Sequence, residues 1–265
     1  MARAFQYAIF PLAVLVLWQA ATELGLIKRN VLPPPLDVLA VWYDLLTGTT
    51  GKASRYAGTW WDHALASTWR VFAGFGWGVA LGVSMGLLIG LSRVFERMFD
   101  PTVQVLRNIP VTAWVPLSLV FFGIGNAPAI FMVVIALFFH MVLATISQID
   151  GVNRNLINVA RTMGATKWQT YSRVIIPAIL PGLLVVLRMN LFAAWMVVLV
   201  AESTGVGYGL GQVIMMARNT FNPSLVFFTI ALIGLLGFTF DFILRMLQKR
   251  ILYWVPETTG VLRGL

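Results

Sequence analysis

The chain has 265 residues, 59% hydrophobic and 11% charged, with no cysteine and a formal net charge of +9. A soluble domain is nearer a quarter charged and under half apolar, so this chain has too little polar surface to face water on all sides. The absent cysteines exclude disulfides, thiolate metal sites and a cysteine nucleophile. The basic residues lie between apolar runs, the pattern of a membrane protein with its positive loops inside rather than of a nucleic-acid binder.

The first predicted span is Phe5 to Ile27, with Arg3 before it. It is longer than the apolar core of a signal peptide and further spans follow, so it reads as a retained span. In "RNVLPPPLDVLAVWYDLL", Pro33 to Pro35 exclude a helix, and Leu36, Leu39, Val41 and Leu45 then predict an amphipathic helix near the membrane interface. Residues 47 to 62 read as a polar loop. Within it "TGTTGKAS", Thr47 to Ser54, approaches a phosphate-binding loop, but Leu46 stands where that motif needs Gly and Ala53 where it needs Ser or Thr. ATP is therefore expected to be handled by another polypeptide.

The second span, Ala64 to Leu91, carries Gly74, Gly78, Gly82, Gly86 and Gly90 at every fourth position, a face that lets another helix approach closely. The third, Val103 to Gly123, contains Pro110 and Pro116; the carbonyls they free, with Asn108, Thr112, Trp114 and Ser118, suggest a polar path or a kinked packing helix. The fourth, Ala127 to Ile149, holds His140 with no second ligand nearby, the pattern of a hydrogen-bonded packing histidine. The fifth, Ile175 to Ala201, holds Arg188 and Asn190, with Glu202 at its outer end. Ionisable groups at membrane depth are functional candidates by default. Arg188, Asn190 and Glu202 are candidates for the translocation path; the alternatives are that Arg188 snorkels inward and that Glu202 takes a structural or gating role. The sixth, Leu225 to Leu247, pairs Asp241 with Arg245 four residues on.

Six spans with the N-terminus inside put Arg3, Arg93, Arg97, Arg154, Arg161, Lys167, Arg173, Lys249, Arg250 and Arg263 on the inner side, and Lys28, Arg29, Lys52, Arg55 and Arg218 outside. Ten against five supports that orientation. The whole chain, 1–265, reads as one all-α membrane domain with its core at about 64–250.

One polar stretch interrupts the oil, at 153–173. Leu156, Val159, Ala160 and Met163 form an apolar stripe at helical spacing. Gly164 follows where a left-handed cap ends a helix, and Thr166 with Gln169 resembles a capping box that starts another. Pro177 and Pro181 are expected to bend the entry into the fifth span.

These residues resemble the signature of the permeases of binding-protein-dependent ABC importers: Glu-Ala-Ala, three residues, Gly, nine residues, Ile-x-Leu-Pro. Here Asn158-Val159-Ala160, three residues, Gly164, nine residues and Val174-Ile175-Ile176-Pro177 stand at the same spacing. Ala160, Gly164 and Pro177 match; Asn158 and Val159 depart from the pattern. "LPPPLDVL", "FDPTVQVLRNIPVTAWVPLSLVFFGIG", "WMVVLVAES", "GYGLG" and "IALIGLLGFTFDFILRMLQKRILYW" are similar to the branch handling nitrate, sulfonates, taurine and bicarbonate. The resemblance implies a type I, MetI-like permease fold in the bacterial cytoplasmic membrane, with both termini inside. It implies a second permease copy, two ATPase subunits carrying ATP and Mg, an external solute-binding protein, and no cofactor on this chain. It makes Asn158, Val159, Ala160, Arg161, Met163, Gly164, Ala165 and Pro177 the ATPase-coupling residues. Arg70, Arg107 and Arg188 favour an anion; thiamine-precursor-like heterocycles are the alternative substrates. An ion-driven secondary transporter should show internal repeats and coupled midplane acids, and neither is visible. Two scattered histidines without clustered carboxylates argue against a membrane enzyme.

Overall fold

The computed structural model describes residues 2–47 and 59–254, and among these it is helical with no strand. Most of the Thr47–Ser54 stretch and of the expected 47–62 loop, and Arg263, lie outside the described residues. Among the described residues, four helices are long and apolar enough to cross a membrane: α3 (Trp60–Leu91), α6 (Asn126–Asp150), the run Lys167–Thr204, and α11 (Pro223–Ile251). These answer to the second, fourth, fifth and sixth expected spans. The first corresponds to the 22-residue α1 (Ala2–Glu23). Gly25, at φ 72°, ends it before the expected Ile27.

Two expectations need correction. The helix α2 (Pro35–Thr47) begins on Pro35 itself, because the first helical position needs no N–H and suits proline's fixed φ. Val38, Val41 and Leu45 are buried, whereas Leu36 and Leu39 remain exposed. The third expected span is a helix pair: α4 (Arg93–Leu106) and, after a 3₁₀ turn at Val111–Trp114, α5 (Val115–Phe122), bent by 92°. Pro110 precedes the 3₁₀ turn at the break, and Pro116 stands in the first turn of α5, where no N–H is needed.

The chain divides into two compact units. One comprises Arg70–Val198 and Gly237–Leu265. Its core is the α3–α6 contact. A Cβ on Gly74, Gly78, Gly82, Gly86 or Gly90 would come within 2.5 to 2.8 Å of Val133, Leu137, Met141, Thr145 or Ile149 respectively. Two ridges of spacing four thus interlock, and only glycine leaves room for the second. The lower part of the long fifth helix adds Ile175, Ile179 and Leu183 against Met141, while Val103 of α4 joins Ile89 and Val142.

The other unit comprises Met1–Trp69 and Leu199–Leu236. Aromatic edges tie it together: Trp42 and Trp60 both meet Phe228, and Trp18 meets Phe227. The 10-residue helix α10 (Leu210–Asn219) completes it.

Candidate functional site

The polar interruption folds as a helix-turn-helix. Asn153 starts α7 (Arg154–Thr162), its Oδ1 accepting from Asn155 N–H at 2.9 Å. Gly164 ends it at φ 82°. Gly164 N–H donates to Arg161 O and Ala165 N–H to Ala160 O, both at 3.0 Å, the paired bonds of a Schellman cap. Thr166 then opens α8 (Lys167–Thr170): its Oγ1 accepts from Gln169 N–H at 3.3 Å, and Gln169 Oε1 accepts from Thr166 N–H at 2.8 Å. Both sides of the turn are pinned by hydrogen bonds that the residue types supply locally.

The prolines that follow do not break the helix. A π turn over Tyr171–Ile175 lets Ile176 N–H reach Tyr171 O, five residues back, and Pro177 falls where the ladder has no N–H to lose. The helix α9 (Ile176–Ala201) runs on through Pro181, so the turn at Gly164 is continuous with a membrane-length helix.

Apart from the half-buried Ala160, the apolar stripe of α7 is not covered by the described residues. Leu156 and Val159 are exposed, and Met163 is 83% exposed, as is Trp168 on the next helix at 75%. Ile157, on the other side of α7, packs into the core beside Ile175. The helix is therefore seated through Ile157 and Ala160 and presents Leu156, Val159 and Met163 outward, with Arg154, Asn158 and Arg161 beside them, all exposed.

The polar residues expected along a path have separate fates. Asn108 donates to Gln104 O at 2.6 Å and is exposed in the break between α4 and α5, as is Thr112. Trp114 there is partly covered, its indole N–H buried without an acceptor. Ser118 is buried and donates to Val115 O. Asn190 is buried and donates to Val186 O at 3.0 Å. His140 Nδ1 lies 2.6 Å from Ala136 O of its own helix; it is hydrogen-bonded, as expected, but faces outward rather than into the packing.

Arg188 does not simply snorkel. Its Nε lies 3.0 Å from Asp241 Oδ1, while Asp241 Oδ2 receives Arg245 Nη2 at 2.8 Å. The expected Asp241–Arg245 pair is present, and Arg188 is the partner that spacing on one helix does not show.

Glu202 is 0% exposed in the unit that holds Ser67. Ser67 Oγ lies 2.7 and 2.9 Å from its two carboxylate oxygens, and Gly211 N–H donates to it at 2.9 Å. Leu210 N–H donates to Ser67 Oγ, and Gly209 N–H to His63 Nδ1, whose ring stacks on Tyr208 at 4.1 Å. The carboxylate and its serine thus satisfy the amides that open α10, an electrostatically favoured place for a negative charge. Ser67, His63 and Gly209–Gly211 are the participants that sequence reading missed. The one available signal was "GYGLG", whose Gly207 and Gly209 have positive φ. A Cβ on Gly209 would run into the Glu202 carboxylate.

Comparison with known proteins bears on this geometry. Residues 78–253 match the family described as binding-protein-dependent transport system inner membrane component. The aliphatic sulfonates transport permease protein SsuC of Escherichia coli (strain K12) is 34% identical over 246 residues, covering 93% of this chain and 90% of that protein. The taurine transport system permease protein TauC of the same organism is 30% identical over 258 residues, covering 97% and 92%. An inward-facing structure of the MetNI methionine ABC transporter shares the fold, with a TM-score of 0.59, 22% identity, and coverage of 71% of this chain and 95% of that one. A family match over most of the chain and relatives of full length place it without ambiguity. The chain belongs to the inner membrane components of binding-protein-dependent transport systems: it is a multi-pass ABC importer permease, a transport subunit whose ATPase is a separate subunit.

Proposed function

We propose that this permease carries a small sulfonate anion across the bacterial cytoplasmic membrane, with α7 as the helix that receives the stroke of its ATPase. The relatives named for aliphatic sulfonates and for taurine support the substrate class, and the arginines within the spans suit a monoanion. The complex comprises two copies of this chain, two ATPase subunits holding ATP and Mg, and a solute-binding protein on the opposite side. Both termini and α7 face the cytoplasm.

The observation that carries the coupling assignment is the exposed stripe Leu156, Val159 and Met163 on a helix locked to a membrane-length helix. An amphipathic helix in a groove is a standard recognition mode. Fixed caps and a continuous helix beyond them make α7 a lever: displacement of the docked helix must move α8 and α9 with it. Asn158, Val159, Ala160, Arg161, Met163, Gly164 and Ala165 form the docked element, and Pro177 follows the π turn that joins it to the span.

The test is a charge on the stripe. Met163→Asp should insert normally, because Met163 is exposed in the subunit alone, but should lose ATPase co-purification and stimulated hydrolysis by about tenfold or more, since an unpaired carboxylate at an apolar interface is costly. Unchanged co-purification and hydrolysis would remove α7 from the interface.

A further inference from the structure

The pairing of Arg188 is unusual for its depth. It stands about 31 Å of helix from Lys167 and about 24 Å from Thr204, at 1.5 Å per residue. Its surroundings on the exposed face of α9 are Val185, Met189 and Phe192; on α11, Phe238 and Phe242 are exposed near Asp241. Within this apolar zone one carboxylate is shared by two guanidiniums, which leaves one excess positive charge. Arg188 and Asp241 are only partly covered, 36% and 33% exposed at the side chain. A plain helix staple would need one cation, and a neutral pair would be less costly in hydrocarbon.

We propose that Arg188, Asp241 and Arg245 form an exchange site for a monoanionic sulfonate, a reading that rests on the substrate class proposed above. In the empty site Asp241 occupies the Arg188 guanidinium. An arriving sulfonate takes Arg188 over, two oxygens against the planar donor fork. Arg245 holds Asp241 meanwhile, so no bare carboxylate is left in the membrane. Departure of the sulfonate returns Arg188 to Asp241. Asp241 is thus a positioning residue: it competes with the substrate, keeps the affinity moderate and permits release. Arg188 is the residue that touches the anion.

The experiment compares variants whose charge changes are opposite. The permease–ATPase complex is placed in phosphatidylcholine nanodiscs, without the binding protein, and equilibrium binding of labelled ethanesulfonate is measured. Arg188→Gln should weaken binding about tenfold or more, and Asp241→Asn should tighten it while slowing uptake by the full complex. Arg188→Lys, which keeps the charge, should lie between Arg188→Gln and the native protein. A staple predicts otherwise: Arg188→Gln and Asp241→Asn break the same bond, so both would lower assembly or binding together, and that result overturns the proposal. Should Arg188→Gln fail to assemble, tighter binding by Asp241→Asn than by Arg188→Lys supports the exchange, and the reverse order overturns it. Loss of ethanesulfonate binding on adding phosphatidylglycerol would make the cluster a lipid-headgroup site and overturn it. If the native complex takes up no sulfonate at all, it is the substrate class that fails; if it takes up sulfonate and the variants move together, the exchange site fails alone.

Discussion

At the scale of single residues, Gly164 is the clearest case of a position set by backbone geometry. Beyond its two chain neighbours nothing lies within 4 Å of where its Cβ would stand, so a side chain there meets open space and only the positive φ resists it. Gly164→Val should therefore cost about 1–2 kcal/mol at the turn, too little to unfold a membrane domain. It should re-aim α7 relative to α8, leaving membrane expression largely intact while uptake falls away from ATP hydrolysis. Expression, co-purification, hydrolysis and uptake on one preparation read this out; wild-type values in all four would make Gly164 an ordinary loop glycine. Ser67 acts through satisfaction rather than strain. Ser67→Ala removes the donor to Glu202 and the acceptor for Leu210 N–H, both buried. We expect a loss of about 1–3 kcal/mol, seen as a lower thermal midpoint in detergent. An unchanged midpoint would show that those groups find other partners.

At the scale of elements, the α3–α6 contact gives an internal control. Gly86 and Gly76 lie on one helix, but a Cβ on Gly86 would come within 2.5 Å of Thr145 Cβ, whereas one on Gly76 meets nothing within 4 Å. Gly86→Val should lower the yield of folded permease and cost about 1–3 kcal/mol. Gly76→Val should leave both near the native level. Equal effects at the two positions would mean that valine in the helix, not the contact, is responsible. What was legible in the sequence follows the same division between local and distant. The repeat of glycines, the Thr166–Gln169 box and the Gly164 cap are set by residues within a turn of one another, and each stands in the structure where spacing put it. The break in the third span was marked by Pro110, but not its 92° angle or the helix at Arg93–Leu106, whose Val103 packs against the distant Ile89 and Val142. Asp241 was read with Arg245 four residues away, while Arg188, 53 positions earlier, reaches it only because α9 and α11 meet with those faces together. Ser67 and Glu202, 135 apart, were invisible as a pair for the same reason.

At the scale of the whole molecule, the chain is a translocation subunit and must draw its energy from a partner. Among the described residues, Asp241 and Glu202 are engaged in an ion pair and in hydrogen bonds, and the proposed mechanical connection is α7. The direct measurement is uptake of labelled taurine or ethanesulfonate into proteoliposomes holding the permease with its ATPase, with the binding protein outside and ATP enclosed. We predict accumulation that requires ATP, the ATPase and the binding protein together, and that persists when proton and sodium gradients are collapsed. Uptake by the permease alone, driven by an ion gradient and indifferent to ATP, would contradict this account.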